Sequence, residues 1–283
     1  MEEWILYLID RQYQYMIEQD WNQRRAIIIS ILQDTITLLE EMSSSFRHDY
    51  HPKRITNFRL LCYGYLVISK NNIKTSLLLI ENGLLYQIHP ISRSIFEIVV
   101  NLNYIDADDS ERNERTKRFF DYQYVDRYNV LHTMESISEI PQDVRTKEQD
   151  DKIQHDYSEY LKRYNMQKRE RGITNWSGFN LVEMIQRIPD DNRRNDLLKG
   201  YKLVPKIDNQ YIHPSIEYLK NIVRDEYHDN LDRDLSEVRL LESIYLSTSK
   251  IIEIYLKHFQ KNRMVFQRRA DEIERRFSER TFQ

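Results

Sequence analysis

Residues 86–105 read YQIHPISRSIFEIVVNLNYI. Ile91, Ile95, Ile98, Val99, Leu102 and Ile105 recur at three- and four-residue spacing, the period of one helical face. Phe96 and Val100 widen that face until the helix is apolar over most of its circumference, which places it centrally among other helices. Pro90 falls in the first turn, where its missing N–H would have no partner in any case. The stretch decides the fold class: all-α, a multi-helix bundle with a central buried helix and a C-terminal amphipathic helix.

The remaining composition agrees. The 283 residues hold only 5 glycines and 6 prolines, too few for the turns a β-rich chain of this length needs. Lys and Arg number 42 against 45 Asp and Glu, a net charge of -3 that gives no global pull towards nucleic acid. The single cysteine, Cys62 in LLCYGYLVI, excludes an internal disulfide framework and reads as a small buried hydrophobe. The N-terminus opens with acids and lacks the pattern of a signal peptide. No window approaches 18 uninterrupted apolar residues, so no membrane span is expected and the expected location is cytoplasmic.

Along the chain, residues 1–52 read as an N-terminal helical segment, with any break near Gln19–Asn22. SSSFRHDYHPKR follows as a polar loop closed by Pro52. Residues 53–258 form the core bundle. Its first helix ends at Asn82-Gly83, residues that accept left-handed geometry cheaply. Ser110 is placed to cap a helix running to about residue 137. Tyr157, Tyr160, Leu161 and Tyr164 mark a surface helix within a polar region. Residues 259–283 form a charged C-terminal helix whose stripe of Phe266, Ala270, Ile273 and Phe277 either docks a protein partner or second copy, or packs back on the body.

Arg93 and Glu97 interrupt the apolar stretch at i, i+4, hence as neighbours on one face, and Asn101 and Tyr104 extend the stripe. Such a pair either fixes which helices pack together or forms an interior polar site of the kind helical bundles assemble from facing helices. A second constellation, Tyr201, Asp208, Asn209 and His213, occupies YKLVPKIDNQYIHPS; Ile-His-Pro occurs there and at 88–90. A histidine transfers protons near neutral pH, and an arginine stabilises charge on a phosphorane-like transition state. Arg127 and His132 in RYNVLH have an arginine–histidine spacing used by helical nucleases, but lie about 140° apart round a helix. His48, Asp49 and His51 have metal-ligand chemistry in a stretch that reads as solvated loop. Metalloprotease, P-loop, dinucleotide-binding and serine-hydrolase signatures are absent, so neither metal nor cofactor is expected.

The run SLLLIENGLLYQIHPISRSIFEIVVNLNYI, followed by RFFDYQ, resembles a large family of uncharacterised bacterial helical proteins. The resemblance covers about residues 55–225 and rests on Gly83, Arg93, Ser94, Glu97, Tyr104, Trp176, Tyr201 and His213-Pro214-Ser215. Asp208-Asn209 stands where family members often carry serine. The resemblance implies that Arg93, Glu97 and His213 share one feature. Such members look similar to abortive-infection and HEPN-type proteins, which implies phage defence or toxin-like cleavage of RNA. The expectation is therefore a metal-independent endoribonuclease with Arg93, Glu97 and His213 as catalytic residues and Tyr104, Trp176, Tyr201 and Asn209 in binding. The competing expectation is a non-catalytic helical scaffold or small-ligand sensor acting through protein partners.

Overall fold

Residues 2–49 contain neither glycine nor proline, and they form one unbroken helix, α1 (Glu2–Asp49), about 72 Å long at 1.5 Å per residue. The computed structural model describes residues 2–49, 55–136, 146–166, 175–204, 231–259 and 262–279. All regular structure among them is helical. There is no break near Gln19–Asn22, and the polar run at 43–49, expected as loop, continues the helix. Ser43 is buried, and Phe46 stacks on Tyr63 at 4.1 Å and meets Phe259 edge-on at 5.7 Å, so this end of α1 is anchored by aromatic packing.

Contacts divide the chain into two units, Met1–Asn103 with Asn195–Gln283, and Tyr104–Arg194. In the first, α1 packs on α2 (Asn57–Glu81) and on α9 (Leu231–His258), and α2 and α9 pack on each other. Ile28, Ile31, Leu32, Leu39, Leu66, Ile73, Leu241, Ile244 and Ile251 are sealed in this unit. Thr56 caps α2, accepting from the Arg59 N–H at 3.3 Å. At its other end Gly83 takes φ 71° and donates to the Ile80 carbonyl, while Leu84 donates to Leu79; together these make a Schellman motif. Asn82 is the last half-turn before the left-handed residue, so the expected stop is found with glycine supplying the geometry.

The opening stretch divides in two. Leu85–Ile88 is a 3-10 turn, and α3 runs from His89 to Asp106. The His89 N–H donates to Tyr86 three residues back, and Pro90 has no N–H with which to continue an α-helical ladder backwards. α3 buries Ile95, Phe96, Ile98, Val99, Val100, Leu102 and Ile105. Ser92 meets Ser243 of α9 at 3.4 Å between hydroxyl oxygens. α10 (Arg263–Glu279) packs on α1 and α9, burying Phe266, Ile273 and Phe277, with Phe277 4.5 Å from Tyr245. The amphipathic stripe is thus taken up by the chain's own body.

In the second unit the expected single helix after residue 110 is two, α4 (Arg112–Asp121) and α5 (Gln123–Ser136), joined at Tyr122. Neither proline nor glycine marks the junction; the Val125 N–H turns to the Tyr122 carbonyl at 2.8 Å, three residues back. Ser110 does not cap α4 with its side chain; its N–H and hydroxyl both bond the Asp108 carboxylate, at 2.8 and 2.6 Å. α6 (Lys147–Arg163) starts with a capping box of Thr146 and Gln149 and packs on α5. α7 (Leu181–Gln186) starts with a second box, Asn180 and Glu183. α8 (Asp191–Leu203) follows.

Gly200 of α8 lies flat on Phe96: a β-carbon there would stand 2.7 Å from Phe96 Cε2. Alanine in a helix interior gains roughly 1 kcal/mol over glycine, whereas overpacking a buried ring costs about 1–3 kcal/mol. Gly200→Ala is therefore expected to lower the thermal midpoint, and pairing it with Phe96→Leu to restore part of the loss. Additive effects in the double-mutant cycle would show that the two residues do not meet.

Candidate functional site

The polar stripe of α3 stands at the edge of an otherwise sealed helix. Arg93 Nε donates to Glu97 Oε1 at 2.8 Å, and the two side chains are 33% and 41% exposed. Ser94 beside them is exposed and Asn101, one turn on, is half-buried. An i, i+4 pair this open contributes only about 0.3–0.5 kcal/mol, too little to hold a bundle together. What the geometry supplies is a guanidinium whose direction is fixed by Glu97 while solvent still reaches it. Arginine matches phosphate oxygens with a planar fork of donors, so a site of this form suits an oxyanion.

Sequence reasoning passed over His89, which lies one turn before Arg93. It is buried, with its ring 6.4 Å from Tyr86 and nearly parallel to it. The signal was present: 89, 93, 97 and 101 form an unbroken four-residue spacing of His, Arg, Glu and Asn. Tyr201 is half-buried on α8, next to the Gly200 that covers Phe96. His213 and Asn209 lie outside the described residues.

Tyr104 and Trp176 do come together, in the second unit, with ring centroids 5.8 Å apart. Phe119 meets Trp176 edge-on at 5.4 Å. Arg115 covers the Tyr104 ring at 4.4 Å and donates to the Tyr104 carbonyl at 2.5 Å. The Tyr160 hydroxyl donates to the Trp176 carbonyl at 3.3 Å. With Tyr104 only 7% and Trp176 5% exposed, the two rings are packing partners rather than an open stacking platform. The nearby Asp106 carboxylate is wholly buried, taking Arg112 Nε at 2.9 Å with Arg193 at 3.9 Å.

Arg127 and His132 do not form a joint site. Arg127 is exposed and donates to Gln123 at 3.3 Å; His132 is exposed and stacks on Tyr128. His48 is exposed at the end of α1. Among the described residues no three His, Cys, Asp or Glu side chains gather as metal ligands would. No described helix is long and apolar enough to cross a membrane.

Behind Tyr128 lies a tyrosine core: Tyr128 stacks on Tyr157 at 3.9 Å, and Tyr122, Tyr160 and Tyr164 pack around Val125. Tyr164 and Arg163 both donate to Asp121 Oδ2 at 2.8 Å. Burial pushes the Tyr122 hydroxyl up to about 12; burial, then the bond to Asp121, raises Tyr164. Raised phenols favour the neutral form in the fold, so their contribution is complete below the unfolded value of about 10 and is lost as pH climbs through the folded values. Alkaline titration at 295 nm is expected to show these tyrosines ionising late, together with loss of helix. Simple ionisation of all 20 tyrosines near pH 10 with the helix intact would contradict this.

Neither a curated protein nor a solved structure matches the chain. A family profile does match, over residues 60–231, a span that takes in α3, the Tyr104–Trp176 contact and the whole second unit. That span is more than half of the sequence, and the chain belongs to this family, described as a family of unknown function (DUF5677).

Proposed function

We propose that the protein acts on RNA as a metal-independent endoribonuclease of the defence or toxin type, in the cytoplasm, with the α3 stripe as its working face. The observation that carries the reading is the half-open Arg93, held in direction by Glu97 on a helix whose other faces are closed. Internal RNA cleavage needs no outside reactant. The 2′-hydroxyl attacks the adjacent phosphorus, the bond to the 5′-oxygen breaks, and a 2′,3′-cyclic phosphate and a 5′-hydroxyl result. One proton leaves the nucleophile and one reaches the leaving oxygen; His213 is the residue assigned to carry protons. Arg93 stabilises the extra negative charge on the phosphorane oxygens, a role that commonly accounts for factors of about 10²–10³ in rate. Glu97 orients Arg93 and does not touch substrate.

A second reading is favoured by one feature: Arg93 Nε is already engaged by Glu97, as it would be in a non-catalytic scaffold or a sensor that exchanges Glu97 for an anionic ligand. A protein partner or second copy would then use surface other than the Phe266–Phe277 stripe; Met264 and Val265 stand exposed at the start of α10.

Incubation of purified protein with total RNA in the presence of chelator separates the two. The nuclease reading expects cyclic-phosphate ends, with cleavage falling about 10²–10³-fold in Arg93→Ala and comparably in His213→Ala, while the α-helical signal of both variants stays intact. Cleavage unchanged in His213→Ala removes that residue from the mechanism. Failure of the wild type to cut any RNA leaves the sensor or scaffold reading.

A further inference from the structure

α4 carries three arginines at three-residue spacing, Arg112, Arg115 and Arg118. The first two are matched with acids: Arg112 pairs with Asp106 and Asp109, and Arg115 with Glu111. The third is different. Asp121, three residues on and placed to be its partner, is instead bonded by Arg163 and Tyr164 of the α6 end. Among the described residues no carboxylate stands within ion-pairing distance of Arg118, and its Nε is buried without a hydrogen-bond acceptor.

The surroundings of that guanidinium are defined. It lies over the Tyr164 ring at 5.4 Å, a contact that orients a cation without neutralising it. Burial raises the Tyr160 hydroxyl, and a side-chain hydrogen bond with Arg118 draws it partly back down, so the one partner set against the guanidinium there is neutral. Above lies Gly178, with φ 78°, where a β-carbon would sit 3.3 Å from Arg118 Nη2 and 3.3 Å from Met166 Cε. The loop that holds Gly178 has its own donors occupied: the Ser177 N–H goes to Asn175 Oδ1 and the Phe179 N–H to Ser177 Oγ. The backbone therefore comes close to the arginine without supplying it with an acceptor from a side chain at 178. A half-buried cation with an unbonded donor is costly, because desolvation has not been offset by an opposite charge.

We propose that Arg118, between the Tyr164 ring and Gly178, is a binding site for a phosphate group, carried by free phosphate or by a nucleotide monophosphate. The phosphate fills the role that a carboxylate fills at Arg112 and Arg115. Two oxygens engage the guanidinium fork, and the Tyr160 hydroxyl borders the site. The site stands independently of RNA cleavage at α3, and either can fail without the other.

The test titrates the full chain with inorganic phosphate, adenosine monophosphate and acetate at matched ionic strength, read by calorimetry. Saturable binding of both phosphate probes is expected, with acetate at least tenfold weaker. Arg118→Gln should lose at least tenfold in affinity and Arg118→Lys, which keeps the charge but not the fork, less. Lys152→Gln, the loss of an exposed cation on α6, should bind as wild type does. Binding of inorganic phosphate but not the nucleotide assigns the site to free phosphate; the converse assigns it to the nucleotide. In phosphate-free buffer Arg118→Met should melt higher than wild type, since it removes an unmatched cation, and phosphate should close the gap. The proposal is overturned by an absence of saturable phosphate binding, by acetate binding as tightly, by equal affinity in Arg118→Gln, or by a lowered melting point in Arg118→Met, which would make the arginine a packing residue.

Discussion

The second unit depends on one buried carboxylate. Asp106 has no solvent-exposed side-chain surface, and an ionised group in that position costs several kcal/mol unless it is paired with good geometry. Arg112 reaches it from the start of α4, and Arg193 from the start of α8, so one acid ties together the two ends of the unit's chain. Arg112 extends the network to Asp109. Removing the acid would take this carboxylate from Arg193 and leave Arg112 with the exposed Asp109, a larger loss than the pair itself is worth. Tyr104, two residues before Asp106, meets the Trp176 ring, which Phe119 meets edge-on.

The α3 pair obeys the opposite energetics. Arg93 and Glu97 are partly exposed neighbours at helical spacing, and the bond between them contributes little to stability. Their neighbours Ile95, Val99, Val100 and Leu102 are sealed. A strong apolar face thus carries the folding energy of the helix, which leaves the remaining polar edge free to be selected for what it binds. This separation is the physical reason for seeking activity on α3 and not among the aromatic residues of the second unit, where Tyr104 and Trp176 are committed to packing.

Much of the architecture was legible because it rests on local rules. Period 3.6 identified α3, Asn82-Gly83 marked the end of α2, and the tyrosine stripe at 157–164 marked α6. The misses share one cause, a tertiary contact overriding a local signal. Ser43–Ser45 reads as loop until Phe46 is seen stacked on Tyr63. The α4–α5 junction has no breaker residue; Asp121, just before it, is held by Arg163 and Tyr164 from forty residues downstream. Ser110 looks like a cap because serine often is one, yet its hydroxyl donates to Asp108 instead of accepting from a helix N–H. The candidate site was half legible: spacing alone predicts the Arg93–Glu97 contact, but no pattern in one sequence reports how much of it solvent reaches. The resemblance names Tyr104 and Trp176 separately, and only the packing shows that their rings meet and are buried.

The C-terminal helix illustrates what a fuller reading of spacing supplies. A narrow apolar stripe by itself fits its own body as well as a partner. Its charges are more specific. Arg276 pairs with Asp34 and Arg269 with Glu41, cations seven residues apart against acids seven apart, in opposite order along the chain. Two heptad-spaced pairs of that kind define an antiparallel register between α10 and α1, since sliding one helix by a turn or reversing it separates both pairs at once. Each pair is partly exposed and adds at most about 1 kcal/mol, so burial of Phe266, Ile273 and Phe277 supplies the affinity. The charges select which surface those residues meet. The complementary acids were in the sequence throughout, on the α1 face that also carries Ser30 and Ser45, which bond Arg276 and Asn262. Matching charge spacing between segments, as well as apolar spacing within them, is what distinguishes an intramolecular helix pair from a docking surface.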